Sequence, residues 1–277
     1  MQHAIRLVRP AMASSAEMLL FGHDPEQIDA VAEMALSEIA RVEHLLSRFD
    51  PTSELSRINR ESAFGDCLID FEMLRILLDC ELWWQRTDGA FDITAGSRDE
   101  AELPLTFADV RLDALHRRIT FSTAGVRLDL GAYGKGYAID CAARVIRQQG
   151  ITSALLHLGT SSVIAIGSPV DADAWPIGLR HPDDSTREAQ QILLFDAALS
   201  TSATNHSSSG LAHVSDLLDP RTGRPLLVRA ACTVIAPTAS TAEALSTAFV
   251  VLGRDRSDKL LGEWKDLSLK AIWTESQ

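Results

Sequence analysis

Helix-like and strand-like segments follow one another irregularly along the 277-residue chain, and this order constrains the fold more than any other feature. Apolar residues recur at steps of three and four from residue 28 to 49, which predicts a long helix ended by Asp50-Pro51. Further helices are predicted over 70–88, 134–150 and 240–252, and strands over 153–158, 162–167, 191–199, 226–236 and the alternating stretch 267–273. Because no regular βαβ repeat appears, we predict an α+β fold of mixed sheets with packed helices, in one domain over residues 1–277.

Charge and cysteine usage narrow the class of protein. The formal net charge of −12 argues against a nucleic-acid backbone as the main partner, although a small phosphate-bearing ligand needs only a local positive charge or a metal. No apolar stretch of about eighteen residues could span a bilayer, and the first residues lack the pattern of a signal peptide. We therefore expect a soluble, cytoplasmic protein without membrane insertion, whose four scattered cysteines are reduced and buried.

The stretch LDLGAYGKGYAID (128–140) places glycines and one lysine at the start of a predicted helix. It is neither a Walker A loop, which needs Ser or Thr after the lysine, nor the GxGxxG dinucleotide fingerprint. Lys135 between two glycines could face an anion together with a flexible backbone, and Asp129 could accept hydrogen bonds from a ring or a hydroxyl. Taken alone, the stretch favours a glycine-shaped helix entry but leaves an anion site open.

The stretch STAEALSTAF (240–249) also has two interpretations. Ser240 and Glu243 have the S-x-x-E spacing of a capping box, which by itself explains the glutamate. Glu243 and Thr247 are four residues apart and share one helix face. With a backbone carbonyl and waters, they would form an all-oxygen site that suits Mg²⁺. The stretch alone favours the cap.

Three further segments are ambiguous when each is taken singly. DPRTGRP (219–225) predicts a hairpin turn. TDGAFDITAG (87–96) predicts a loop leaving a helix, with Phe91 in the core and Asp92 as a cap. The serine-rich segment 200–210 predicts a surface loop in its second half, where His206 and the nearby His213 are expected to be solvated.

The order of these segments carries more information than any one of them. The chain contains, in sequence, SRFDPTSELSRIN (47–59), GAFDITAG (89–96), DLGAYGKGYAID (129–140), LLHLGTSSVIAIG (155–167), LSTS (199–202), LLDPRTGRP (217–225) and EALSTAFVVLG (243–253). This set resembles the ApbE family, the FAD:protein FMN transferases, from Met12 to Gly253. The most specific parts are the D-L-x-x-x-x-K-G-Y-A-x-D run and D-P-R-T-G.

The resemblance implies an ApbE-like (T-fold-like) α+β flavin transferase that uses FAD and Mg²⁺. Members move the FMN half of FAD onto a Thr or Ser hydroxyl of a partner flavoprotein, such as the FMN-binding domain of a membrane redox complex, and release AMP. Carried over by position, the metal would be held by the carbonyl of Ala132 and the side chains of Glu243 and Thr247. The residues expected to contact FAD are Met12, Phe49, Ala90, Phe91, Asp92, Asp129, Lys135 and Leu218.

The chain departs from the family pattern at several positions. Asp216 stands where the family has a histidine, a candidate catalytic base, and His213 lies three residues earlier, so either is expected to accept the proton. Glu243 replaces the usual aspartate, Gly159-Thr160-Ser161 replaces G-G-N, and the region from 95 to 129 is short. Three hypotheses follow: an active FMN transferase, a hydrolase that cuts FAD to FMN and AMP, and a flavin-binding or assembly protein without turnover.

Overall fold

The computed structural model describes residues 3–181, 184–204, 217–227 and 230–275. Within these ranges the α-helices are α1 (Pro25–Leu46), α2 (Glu54–Glu61), α3 (Phe71–Arg86), α4 (Gly134–Gln148), α5 (Ala239–Leu252) and α6 (Arg254–Glu263). The strands are β1 (His3–Ala11), β2 (Ser14–Gly22), β3 (Cys67–Leu68), β4 (Val110–Asp113), β5 (Arg118–Phe121), β6 (Ser153–Leu158), β7 (Ser162–Ile166), β8 (Trp175–His181), β9 (Asp184–Leu194), β10 (Ala198–Ala203), β11 (Leu218–Asp219), β12 (Arg224–Pro225), β13 (Ala230–Ala236) and β14 (Lys270–Glu275).

A seven-stranded sheet forms the centre of the fold, in the order β1-β2-β6-β7-β10-β13-β14, and every neighbouring pair is antiparallel. Helices α1, α4 and α5 pack on one face of this sheet. A separate three-stranded sheet, β3-β5-β4, follows α2 in the chain. The predicted α+β fold, in which helices pack against sheets, is therefore confirmed. No helix in the described part of the chain has both the length and the apolar character needed to cross a membrane.

Helix α1 shows how its sequence defines its position. Asp24 caps the start by accepting hydrogen bonds from the backbone N–H groups of Glu26 and Gln27, and Pro25 occupies the first turn. The predicted apolar face is buried against the sheet and α4. The helix ends at Leu46, earlier than predicted, because the Ser47 hydroxyl accepts the next free N–H groups and turns the chain. Phe49 consequently lies outside the helix, and it is 79% exposed.

Helices α4 and α5 cross closely at their N-terminal ends. A Cβ on Gly136 would lie 2.4 Å from the carbonyl oxygen of Ala239, so this approach requires glycine. The Asp140 carboxylate of α4 accepts hydrogen bonds from the backbone N–H groups of Ala239 (2.8 Å) and Ser240 (2.9 Å). This crossing places the first turns of both helices at the same end of the sheet.

The other face of the sheet is covered by the β8–β9 hairpin, which forms a second hydrophobic core around Trp175. The prediction of one continuous strand over 191–199 is wrong, because the chain turns at Asp196, which has a positive φ of 42°. β9 and β10 consequently belong to different sheets. The predicted strand 226–236 begins only at Ala230 in the described residues. All four cysteines are free and buried, as expected.

Candidate functional site

Segments far apart in the sequence line one cavity of about 480 Å³, which we call the central cavity. Its walls come from the loop after α3, the start of α4, strand β10, the β11 turn and the first half of α5. A neighbouring side cavity of about 300 Å³ shares Asp129, Gly131 and Lys135 with it, and it is also lined by Met12 and Phe49. The predicted site residues that line the central cavity are Ala90, Phe91, Asp92, Asp129, Ala132, Lys135, Leu218, Glu243 and Thr247.

Lys135 and Glu243, which both line the central cavity, form an ion pair with 2.6 Å between Lys135 Nζ and Glu243 Oε1. The Glu243 side chain is only 4% exposed, and that of Lys135 is 27% exposed. Glu243 Oε1 also accepts a hydrogen bond from the Ser162 hydroxyl (3.0 Å), and Oε2 accepts one from the backbone N–H of Gly136 (2.6 Å). Burial of a carboxylate is tolerated here because both of its oxygens are satisfied.

The predicted capping box between Ser240 and Glu243 is wrong. The cap of α5 is Thr238, whose hydroxyl accepts the N–H of Thr241, and Asp140 satisfies two further free N–H groups of the first turn. Glu243 is therefore not needed at the helix start, and its carboxylate points towards α4. This leaves the carboxylate available for a role in the cleft.

A cluster of hydroxyl groups lies between α5 and β10. Thr247, one turn further along α5, lies 3.0 Å from the Ser202 hydroxyl, which also contacts the Ser246 hydroxyl at 2.9 Å. The Ser200 hydroxyl is buried and has no hydrogen-bond partner within the described residues. An unsatisfied buried hydroxyl on a cavity wall is typical of a site that receives a ligand or an ordered water.

The donor set of the central cavity fits a hard divalent cation. The Glu243 carboxylate, the Thr247 hydroxyl and the Ala132 carbonyl are all oxygen donors, which Mg²⁺ prefers, and Mg²⁺ usually keeps several waters. No group of three or more His, Cys, Asp or Glu side chains within the described ranges could hold a metal. Within the described residues, a metal in the central cavity would thus have fewer than three such side chains as ligands, and neutral oxygens and water would complete its coordination.

Asp129 forms the boundary between the central and side cavities. Its backbone N–H donates to the carbonyl of Ile93 (2.7 Å), and its Oδ1 accepts the N–H of Gly131 (2.9 Å). Its Oδ2 pairs with Arg48 Nε at 3.2 Å, and the Arg48 guanidinium lies 4.5 Å from the centre of the Phe49 ring. The exposed Phe49 ring therefore stands at the cavity mouth beside a cation, an arrangement suited to an aromatic ligand.

Asp92 holds the loop that supplies one cavity wall. Oδ1 accepts hydrogen bonds from the N–H (2.7 Å) and hydroxyl (2.6 Å) of Thr94, and Oδ2 accepts the N–H of Phe107 (2.9 Å). Burial raises the pKa of the Asp92 carboxyl, and these hydrogen bonds oppose that rise. Asp92 is thus not a helix cap. Phe91 is 1% exposed and belongs to the hydrophobic core, as predicted.

The predicted turn at DPRTGRP is confirmed by the β11–β12 hairpin. Arg221 donates to both oxygens of Asp219 at 2.8 Å, and Arg98 donates to the carbonyl of Gly223 at 2.8 Å. These bonds fix the hairpin whose first strand contains Leu218. The candidate bases His213 and Asp216, and also His206, lie outside the described residues.

The sequence patterns missed Ser162 and Arg48. Ser162 begins the fully buried strand β7, and a polar residue in such a strand was the available signal. Arg48 lies in the loop after α1, and the geometry of that loop depends on where α1 ends, so no local pattern identified this residue. Both contact acidic residues that the sequence did identify.

The fold is that of the ApbE proteins of known structure. An ApbE protein from Thermotoga maritima superposes with a TM-score of 0.86 at 24% identity, covering 98% of this chain and 94% of that chain. The model of the ApbE family matches residues 12–273, and the chain belongs to the ApbE family.

Curated relatives carry one enzyme name. The FAD:protein FMN transferase of Salmonella typhimurium is 28% identical over 246 residues, which is 78% of this chain and 69% of that protein. The FAD:protein FMN transferase of Escherichia coli K12 is 25% identical over 272 residues, which is 87% of this chain and 76% of that protein. The chain is therefore a member of a transferase family.

Proposed function

We propose that this protein is a Mg²⁺-dependent FAD:protein FMN transferase, which moves FMN from FAD to a Thr or Ser hydroxyl of a partner flavoprotein and releases AMP. The observation that carries the proposal is the convergence of Lys135, Glu243 and Thr247 on one cavity. This convergence occurs in a chain related over most of its length to FAD:protein FMN transferases.

FAD would occupy the central and side cavities together. Lys135 lines both and offers an ammonium to the diphosphate, while Asp129 can accept hydrogen bonds from the flavin or a ribose. The Phe49 ring, with Arg48 beside it, would contact the flavin. The remaining expected contacts, Met12, Ala90, Phe91, Asp92 and Leu218, would shape the walls.

Glu243, Thr247 and the Ala132 carbonyl would hold Mg²⁺. When bound, the ion supplies neutralisation of charge on the transferring phosphate, the main requirement of phosphoryl transfer. The acceptor hydroxyl oxygen forms a bond to the FMN-side phosphorus, and the phosphoanhydride bond to AMP breaks, so AMP leaves with the electron pair. The hydroxyl proton passes to a base, for which Asp216 and His213 are the candidates.

A single incubation separates the three hypotheses. The protein is mixed with FAD, Mg²⁺ and an FMN-binding domain that carries a Thr or Ser acceptor, and adducts are detected by mass spectrometry while AMP is quantified. Transfer predicts AMP equal to the adduct formed. AMP and free FMN without an adduct would identify a hydrolase, and FAD binding without AMP would identify a non-catalytic flavin protein.

Glu243→Gln tests the metal assignment. It should lower Mg²⁺-dependent turnover by more than the roughly 10–100-fold that loss of an outer-shell partner costs, because the charge that attracts the ion is removed. Glu263→Gln, at the exposed end of α6, is the matched control and should leave turnover unchanged. If Glu243→Gln keeps the full rate and the full Mg²⁺ dependence, the carried-over metal site is wrong.

A further inference from the structure

We propose that Lys135 is a built-in counter-cation for Glu243, which exchanges with Mg²⁺, and that the released ammonium then binds the diphosphate of FAD. Metal and FAD binding would thus be coupled through one lysine side chain. The proposal rests on the proposed function for the identity of the two ligands, but its tests require no turnover.

The first observation is that both oxygens of the Glu243 carboxylate already accept hydrogen bonds. Within the described residues, Oε1 accepts from Lys135 Nζ and the Ser162 hydroxyl, and Oε2 accepts from the Gly136 N–H. A divalent ion bound to Oε1 would stand beside an ammonium 2.6 Å from the same oxygen. Two cations bound to the same carboxylate oxygen repel each other strongly in a largely buried site, so Mg²⁺ and the ammonium compete for Glu243.

The position of Lys135 is the second observation. It lies in the first turn of α4, and Nζ has a second contact to the Gly131 carbonyl at 3.3 Å. The side chain lines both the central and the side cavity. A flexible four-carbon stem therefore lets the ammonium leave Glu243 and still remain within the proposed FAD site.

The residue type is the third observation. The chain has 26 lysines and arginines, of which only Lys135, Lys259, Lys265 and Lys270 are lysines. An arginine at position 135 would bind the carboxylate through a planar fork, whereas lysine presents a compact point charge that another cation can replace. The one lysine before residue 259 thus stands where an exchangeable cation is needed.

Exchange predicts reciprocal coupling, since each ligand removes the competitor of the other. Mg²⁺ displaces the ammonium that FAD requires, and FAD captures the ammonium that would otherwise hold Glu243. Direct contact between Mg²⁺ and the diphosphate would also couple the two ligands. The contribution of Lys135 must therefore be measured with Mg²⁺ alone.

The small number of lysines makes the first test direct. A brief pulse of an amine-acetylating reagent is applied to the chelator-treated protein, then with saturating Mg²⁺, then with Mg²⁺ and FAD, and each lysine is quantified by mass spectrometry. Lys259, Lys265 and Lys270 are exposed and serve as internal controls in the same molecule. Labelling of Lys135 should rise about fivefold with Mg²⁺ and fall again with FAD, while the controls stay constant.

The second test measures Mg²⁺ affinity without FAD by calorimetry. Lys135→Met should tighten Mg²⁺ binding about tenfold, while Lys135→Arg should not, because it keeps a competing cation. Arg48→Met is the matched control, since it removes a cation of the same cleft that pairs with Asp129. Arg48→Met should change the Mg²⁺ affinity by less than about threefold if direct contact with Glu243 is what opposes Mg²⁺. Salt screens the repulsion between Mg²⁺ and a cation that is further away.

Two results would overturn the exchange. The first is Mg²⁺ binding, seen by calorimetry, that leaves the labelling of Lys135 unchanged. The second is that Lys135→Met and Arg48→Met raise the Mg²⁺ affinity equally, or that neither raises it. Should Lys135→Met fail to fold, the labelling of the unmodified chain still decides. If either result is found and the protein still transfers FMN, the exchange is refuted and the proposed function stands. If the exchange is found and no FMN is transferred, only the proposed function is refuted.

Discussion

Gly136 lies where the first turn of α4 meets the start of α5, and its backbone N–H donates to Glu243. A Cβ there would stand 2.4 Å from the Ala239 carbonyl oxygen, which is backbone and cannot rotate away. Gly136→Ala should therefore destabilise the fold by about 2–3 kcal/mol, a Tm drop of roughly 5–10 °C, despite the higher helix propensity of alanine.

Gly134→Ala is the matched control in the same turn. Its Cβ would meet only the flexible ends of Leu46 and Met12, at 3.5 and 3.6 Å, so Tm should stay constant or rise slightly. Equal Tm values for both variants, measured by calorimetry, would contradict the close crossing. Mg²⁺ affinity should fall for Gly136→Ala alone, because the shift displaces a donor to Glu243.

Site residues could be located from the sequence, but their partners could not. The ordered motifs brought Lys135, Glu243 and Thr247 to attention, and the structure places all three in one cavity. The capping-box prediction for Glu243 failed because Asp140, about a hundred residues away in the chain, caps α5 together with Thr238. Local spacing contains no information about such a distant partner.

Among the elements, three helices meet at Glu72. This residue of α3 receives both Nη groups of Arg41 of α1 at 2.7 Å and the hydroxyl of Tyr137 of α4 at 2.8 Å. The hydrogen bonds from Arg41 chiefly, and that from Tyr137, lower the pKa of the Glu72 carboxyl below its ordinary 4.5. The stabilisation is thus present above about pH 4.5 and is lost as pH falls through the folded-state pKa.

Glu72→Gln should lower Tm by about 1–3 °C at pH 7, since a partly exposed ion pair contributes under about 1 kcal/mol. The gap to the unmodified protein should narrow as the pH falls below about 4.5 and through the folded-state pKa of Glu72, because the protonated carboxyl no longer pairs with Arg41. Glu33→Gln is the control, because its mostly exposed carboxylate pairs with Arg9 at the longer distance of 3.5 Å. A gap for Glu72→Gln that is constant from pH 7 to 3 would show that the ion pair does not contribute.

Long helices were predictable, because α1, α3 and α4 bury a periodic apolar face. Helix α5 was predictable as a long, mostly apolar segment, and ten of its fourteen residues are buried. The short, polar helices α2 and α6 were missed, since eight to ten residues with few apolar positions give little periodic signal. The β1–β2 hairpin was missed as well. Its turn residues Met12 and Ala13 have positive φ, which neither residue type predicts.

For the whole molecule, the cleft unites segments from both ends of the chain. The central and side cavities are lined by residues from Met12 to Thr247, and the main hydrophobic core extends from Ala16 to Val250. Such an assembly, unlike a local motif, could be inferred from the sequence only through the family resemblance. A ligand bound there holds these segments together, so its binding energy opposes global unfolding.

FAD with Mg²⁺ should therefore raise the Tm of the whole protein, measured by calorimetry as a single shifted transition. At a free FAD concentration of about 100 times Kd the gain in the free energy of unfolding is about 2.7 kcal/mol, which corresponds to a Tm shift of roughly 5–10 °C.

Lys135→Met should reduce this Tm shift at a fixed FAD concentration, because the ammonium contact to the diphosphate is lost. Lys259→Met, which alters an exposed lysine of α6, should show the same Tm shift as the unmodified protein. AMP alone should give a smaller shift, since it leaves the flavin contacts at Phe49 unmade. If saturating FAD leaves Tm unchanged, or if Lys135→Met and Lys259→Met show the same shift, the ligand does not bind across this cleft.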